Sequence, residues 1–236
     1  MNPVPLSGFE KIDFLSLSPQ LLFTDRRDTK YIFHYLDWSN IMDALREEYC
    51  VVEHHGKVSQ RYSTVYYDSS DFKYYLAHHN GHGNRVKMRT RTYEDGVSFF
   101  EIKQKTNRGI TLKERYSDSN DHVDGLMPQI EVEYDRVTLY DKTFNEKLTF
   151  DFNLKFRDLN TEIGFSSIVI AESKKTKTTC SSFVETLKIR KIKSSSVSKY
   201  CLGVASLNKC TKTNNFKTLI HNINKLKSKY DVPSNY

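Results

Sequence analysis

Arg85-Val86-Lys87-Met88-Arg89-Thr90-Arg91-Thr92-Tyr93 decides how the rest of the chain is read. Cations stand at every second position from 85 to 91, and a strand sends alternate side chains to opposite faces, so all four point the same way. A face so charged is either a basic surface in water or the wall of an anion site. For a lone strand the solvated surface is the better reading. The neighbours change it. Glu101, Lys103 and Lys105 share one parity, as do Lys113 with Arg115, Glu131 with Glu133, Lys147 with Thr149 and Asp151, and Glu172 with Lys174. The opposite parity is apolar in several of these stretches: Ile130, Val132 and Tyr134; Leu148, Phe150, Phe152 and Leu154; Ile168 and Ile170.

Working outward, turn signals at Gly81-His82-Gly83, Glu94-Asp95-Gly96 and Asn107-Arg108-Gly109 separate strands expected at 61–67, 84–93, 97–105 and 111–117. Connections this tight make an antiparallel meander. Further strands are expected at 28–34, 129–140, 148–156 and 167–173. Helical spacing marks 38–49, 181–192 and 214–229, the last through Phe216, Leu219, Ile220, Ile223 and Leu226. An apolar face must be covered, and the charged one then becomes either an open platform or the inside of a closed barrel. The expected fold class is α+β, mainly β, with a closed antiparallel β-barrel and helices packed outside.

At 236 residues a single domain is favoured, with residues 1–23 as an N-terminal arm and 24–236 as the body. Lys+Arg number 36 against 29 Asp+Glu, a net charge of +7, which calls for an anionic partner. Carboxylates interleaved with the cations count against nucleic acid, whose platforms prefer unbroken positive charge with exposed aromatics. They suit phosphate oxygens held together with a divalent cation. Cys50, Cys180, Cys201 and Cys210 form no CxxC pair, which fits a reduced, cytoplasmic protein. Residues 1–20 carry neither a basic leader nor a long apolar run, and no 18-residue apolar stretch occurs, so neither a signal peptide nor a membrane span is expected. His78, His79 and His82 lie among glycines and read as a polar turn rather than a metal site. The Lys174–Lys177 run reads as a solvated loop.

Eight short pieces occur in a telling order: Asp28-Thr29-Lys30-Tyr31; Ser63 to Asp68; Arg85 to Arg91 with Tyr93; Phe100-Glu101-Ile102-Lys103; Lys113-Glu114-Arg115; Leu148-Thr149-Phe150-Asp151; Ala171-Glu172-Ser173-Lys174; and Ser198-Lys199-Tyr200. Together they resemble the VTC domain, the polyphosphate polymerase module of the triphosphate tunnel metalloenzyme (CYTH-like) superfamily. The resemblance implies an eight-stranded antiparallel tunnel that binds ATP and a divalent metal, Mn²⁺ in preference to Mg²⁺, and extends inorganic polyphosphate while releasing ADP. By the same resemblance Lys30, Arg89, Arg91 and Lys199 are catalytic. Arg85, Lys87, Lys103, Lys113, Arg115, Arg136 and Lys147 bind substrate phosphates, and Glu172 binds the metal. Lys147 stands where the family usually has Arg, and it lacks the planar fork that grips phosphate bidentately. Asp28 is shorter than the usual glutamate. Hydrolysis of inorganic or nucleoside triphosphates, or binding of polyphosphate without chemistry, needs the same cage, so these remain the alternatives. Coupling of synthesis to transport would require a separate membrane partner.

Overall fold

The computed structural model describes residues 6–17, 26–117, 124–176, 181–207, 210 and 212–230. Residues 1–5 and 18–23 of the expected arm and the residues from Lys177 to Cys180 lie outside them. The strands are β1 (Glu10–Asp13), β2 (Arg26–His34), β3 (Tyr49–Glu53), β4 (Ser59–Asp68), β5 (Arg85–Tyr93), β6 (Ser98–Lys105), β7 (Thr111–Tyr116), β8 (Met127–Asp141), β9 (Glu146–Arg157), β10 (Glu162–Phe165), β11 (Ile168–Thr176) and β12 (Ser194–Ser195). The helices are α1 (Trp38–Leu45), α2 (Lys73–His79), α3 (Ser182–Ile189), α4 (Lys199–Ser206) and α5 (Lys217–Tyr230).

The fold is mainly β, a 12-stranded and almost wholly antiparallel sheet whose main path runs β12-β2-β11-β9-β8-β4-β5-β6-β7. The expected closed eight-stranded barrel is corrected here. Among the described residues no strand pairing joins β12 to β7. One end of the path is a two-residue strand and the other an exposed strand carrying Lys113 and Arg115, so neither end offers the long matched edge that closure needs. The part of the arm that is described forms a strand, β1, parallel to β3. The stretch Lys174–Thr176 belongs to β11 rather than to a loop.

Apolar residues cover both faces of the sheet. On one face Tyr31, Phe33, Val137, Leu139, Leu148, Phe150, Phe152, Val169 and Ala171 pack under α1 and α3 through Trp38, Ile41, Leu45, Phe183 and Leu187. On the other, Ile130, Val132, Tyr134, Leu154, Phe156, Ile168 and Ile170 meet α4 through Cys201, Leu202, Val204 and Ala205. The expected apolar run Leu148, Phe150, Phe152, Leu154 is therefore split between two cores. The cause is one extra residue in β9. Glu133 pairs with Lys155 but Asp135 with Phe152, and Asn153 takes a positive φ of 53°. Beyond that bulge the strand's odd and even positions exchange faces. Glu131 and Glu133 accordingly sit on the side away from α4, paired with Arg157 at 2.7 and 3.5 Å, and do not join the cations of β5.

The face toward α4 is apolar at one end of the strands and charged at the other. Ile168 and Ile170 give way along β11 to Glu172 and Lys174, and Ile32 gives way along β2 to Lys30 and Asp28. Both arms of the sheet reach the start of α4. Lys30 Nζ donates to Val197 O at 3.0 Å, Lys87 Nζ to Ser198 Oγ at 2.9 Å, and Lys199 Nζ to Asp151. The sheet is thus folded around this segment as a trough.

Candidate anion-binding site

Register places the cations in rungs across the trough wall. Lys87 of β5 lies opposite Lys103 of β6, which lies opposite Lys113 of β7. The next rung pairs Arg85 with Lys105. Like charges directly opposite destabilise a sheet, and Lys87 with Lys103 and Arg85 with Lys105 are such pairs. The rung on the other side is compensated. Glu101 takes Arg89 at 2.6 Å and Arg115 at 2.6 Å, with Arg91 4.0 Å away. Burial alone would raise the Glu101 carboxyl, but Arg89, Arg91 and Arg115 hold it at about 2.

On the opposite wall Arg136 grips Asp151 with Nε at 2.5 Å and Nη2 at 2.8 Å, and Lys199 donates to the same carboxylate. Asp151 is 3% exposed, and these two cations outweigh burial to push its carboxyl far below the usual range. Tyr62 and Tyr134 stack with their rings 4° from parallel. The Arg136 guanidinium lies 5.1 and 5.3 Å from their centroids, Arg91 lies 5.5 Å from Tyr62, and Lys199 lies 4.3 Å from Tyr134. The negative ring faces help to hold three cations close together.

Lys30 stands opposite Glu172 in register, and Glu172 stands opposite Thr149. Glu172 contacts Lys174 at 3.1 Å, and Lys174 also reaches Asp28 at 3.4 Å. Burial would raise the Glu172 carboxyl, but Lys174, Lys30 and Arg136 hold it at about 2. The lysines are displaced the other way. Loss of water pulls Lys87 down to about 7, helped by Lys30, Lys103 and Arg89. Partial desolvation, then Lys113, Lys30 and Lys174, bring Lys103 to about 8. Lys30 is lowered chiefly by burial, against the pull of Glu172. Lys30 of β2 and Lys87 of β5 reach the adjoining residues Val197 and Ser198, so the two walls face each other across the start of α4.

The residues expected from sequence to bind phosphate or metal lie on or beside this face, whereas Glu131 and Glu133 do not. Arg85, Lys87, Arg89 and Arg91 share one side of β5, as the alternation requires, and Lys147 sits at the far end with its ammonium 5.2 Å from the Tyr140 ring. Other contributors carried weaker signals. Thr64 Oγ1, Thr149 Oγ1 and Arg91 Nε are buried with no hydrogen-bond partner among the described residues. A lone threonine in a strand announces nothing, although parity had put Thr149 beside Asp151. His78 and His79 belong to α2 rather than to a turn, and no cluster of metal-ligating side chains occurs among the described residues.

Two hollows adjoin the cations. One of about 280 Å³ lies at the Tyr93 end, lined by Tyr62, Tyr93, Phe99, Tyr140, Arg115, Arg136 and Lys147 among others. The second, of about 120 Å³, lies at the Arg85 end.

The folded antiparallel sheet gathers cations from both walls of its trough. The family model of the VTC domain matches residues 25–129 and 121–208, and the chain belongs to that family, whose role is polyphosphate-related. No curated protein matches the chain. No described helix is long and apolar enough to cross a membrane.

Proposed function

We propose that the chain is a polyphosphate polymerase that transfers the γ-phosphate of ATP to a growing inorganic polyphosphate chain. The observation that carries this reading is the pair of like-charge rungs, Lys87-Lys103 and Arg85-Lys105, beside lysines whose ammonium groups are already depressed. Such an arrangement is unfavourable when empty and becomes favourable when a run of phosphates lies across it. Family membership supports the same substrate class.

Phosphoryl transfer asks little covalent work of the protein, so catalysis is chiefly alignment and neutralisation of phosphates. In this reading Arg89, Arg91, Arg115 and Arg136 receive the nucleotide's phosphates. The aromatic hollow beside them takes the base, since Tyr62, Tyr93 and Phe99 offer ring faces. Lys30, Lys87, Lys103 and Lys199 surround the transferring group, with Lys113 and Lys147 at the margins. Ser198 caps α4 and the helix begins at Lys199, so its positive dipole end adds to the field. The acceptor is an oxygen of the terminal phosphate, already ionised at neutral pH, and needs no general base.

A divalent cation fits the Glu172 corner. Glu172 is ionised, and the unpartnered Thr149 Oγ1 lies on the neighbouring strand in register. Mg²⁺ and its relatives are commonly held by one or two carboxylates plus substrate phosphates. Glu172 would hold Mn²⁺ or Mg²⁺, which when bound offsets charge on the phosphates.

Incubation of the purified chain with ATP and Mn²⁺ tests the proposal. ADP together with acid-labile polymer resolved on a gel is the expected result. Orthophosphate without polymer would make the protein a triphosphatase. Protection against heat by polyphosphate, with no turnover, would leave a binding module.

A further inference from the structure

The charge of the chain is unevenly placed. From Thr186 to Tyr230 it carries eleven Lys and Arg and no Asp or Glu, whereas the remaining residues hold 25 cations against 29 carboxylates. Of the eleven, Lys199 belongs to the trough through Asp151. The densest group stands where α3 ends. Lys188, Arg190, Lys191 and Lys193 are all exposed there, and Ile189 among them is 82% exposed.

The turn that presents these side chains is fixed by the backbone. Lys191 N–H donates to Lys188 O and Ile192 N–H to Leu187 O, both at 2.9 Å, so α3 ends in a Schellman motif. Ile192 packs against the core that contains Leu187 and anchors the turn from below. Lys191 takes the left-handed position, with φ at 58°, where glycine is the usual residue. Cations near a helix C-terminus commonly serve the helix dipole, and Lys188 is paired with Glu185 at 2.7 Å. Neither reason covers Lys193, which lies beyond the last turn, or an isoleucine left almost wholly in water. Arg190, Lys191 and Lys193 have no ion-pair partner among the described residues.

We infer that the turn at the end of α3 is a docking surface for an anionic phospholipid bilayer. Cations around a protruding apolar side chain match a surface that is negative at its headgroups and apolar just beneath them. A soluble polyanion offers the charge without the apolar layer and leaves Ile189 unused. Directly after Lys193, Ser194 and Ser195 form β12, paired with Tyr31 and Lys30 of β2, and Val197 and Ser198 follow. A bilayer held at the turn therefore lies a few residues from the segment to which both walls of the trough are tied. Docking of this kind stands apart from the chemistry performed in the trough.

Co-sedimentation of the whole chain with phospholipid vesicles tests it. Vesicles of mixed phosphatidylglycerol and phosphatidylcholine should carry the protein down, and vesicles of phosphatidylcholine alone should not. The double change Arg190→Gln and Lys193→Gln should weaken partitioning about 25-fold, at about fivefold for each cation. Ile189→Ser should weaken it about tenfold through lost apolar burial. Both variants should keep the native circular dichroism, since the altered side chains are exposed. No sedimentation, equal sedimentation with the two vesicle types, or unchanged partitioning in both variants would overturn the docking surface. Loss in the charge variant with Ile189→Ser unchanged would also overturn it, and would make the turn a site for soluble polyanions.

Discussion

Replacing Lys87 with methionine should make the empty protein more stable while weakening its hold on phosphate. The Lys87 ammonium has an ordinary value of 10.5 and is brought to about 7, first by loss of water and then by Lys30, Lys103 and Arg89. A drop of roughly 3.5 at about 1.4 kcal/mol for each pKa unit puts a ceiling of about 5 kcal/mol on the cost of keeping that charge in the folded state. Methionine fills similar volume but loses the hydrogen bond to Ser198, and the effective dielectric of such a site is high, so the expected net gain is about 1–3 kcal/mol. The folded value lies below the unfolded one, so between about pH 7 and 10.5 the unfolded chain binds the extra proton and wild-type stability rises with pH. Below that window the full cost is present. The gain should be complete near pH 6 and mostly gone near pH 9.5. Urea unfolding, followed through the fully buried Trp38, measures it at both pH values, with and without tripolyphosphate. Ligand should stabilise the wild type more than the variant, since stabilisation grows with affinity. A variant less stable at low pH, or a gap that does not change with pH, would refute the reasoning.

Three further outcomes are expected. Asp151→Asn removes the counter-charge of Arg136 and Lys199 and should cost about 3–5 kcal/mol in thermal or urea unfolding, the usual penalty for stranding buried cations. Gly203→Ala places a methyl against Ile130 Cδ1 and 2.7 Å from Phe156 Cδ1 in the core under α4, and should lower stability by about 1–3 kcal/mol without changing the charge of the trough. Arg89→Ala should reduce polymer synthesis at least about 100-fold in the ATP and Mn²⁺ assay. Circular dichroism should stay native, and full turnover would show that this face does not meet substrate.

Parity made much of the charged wall legible. Arg85 to Arg91, Glu101 with Lys103, and Lys113 with Arg115 fall on one face because strand geometry leaves no choice, and the hairpin turns between them fix their order. The same rule misled where β9 gains a residue. Nothing around Asn153 announces a bulge, yet it sends Leu154 and Phe156 to the α4 side, whereas parity alone would have kept them with Leu148. Closure does not follow from the sequence for a related reason: alternation says that a face is charged, not whether the last strand meets the first. Short elements escaped notice because they carry too few residues for a period, β1, β10 and β12 among them. Helix α2 hid behind its histidines. Its start depends on Asp68, wholly buried at the end of β4, which accepts from the backbone N–H of Tyr74 and Tyr75 at 2.9 Å each, a contact invisible until both are placed.

Asp68 also links the trough to its plug, for it accepts the Tyr200 hydroxyl at 2.5 Å and so joins β4, α2 and α4. The extra residue in β9 has its functional consequence here. It leaves Thr149 and Asp151 facing the cations while Leu154 and Phe156 face α4, so one strand serves as charged wall and apolar seat at once. Helix α4 then fills the apolar half and delivers Val197, Ser198 and Lys199 to the boundary, where they meet Lys30, Lys87 and Asp151 from different strands. Among the described residues the walls are joined by this segment and not by strand pairing across the open ends. The proposed anion site does not need a closed barrel; it needs the start of α4 to stay where both walls can reach it.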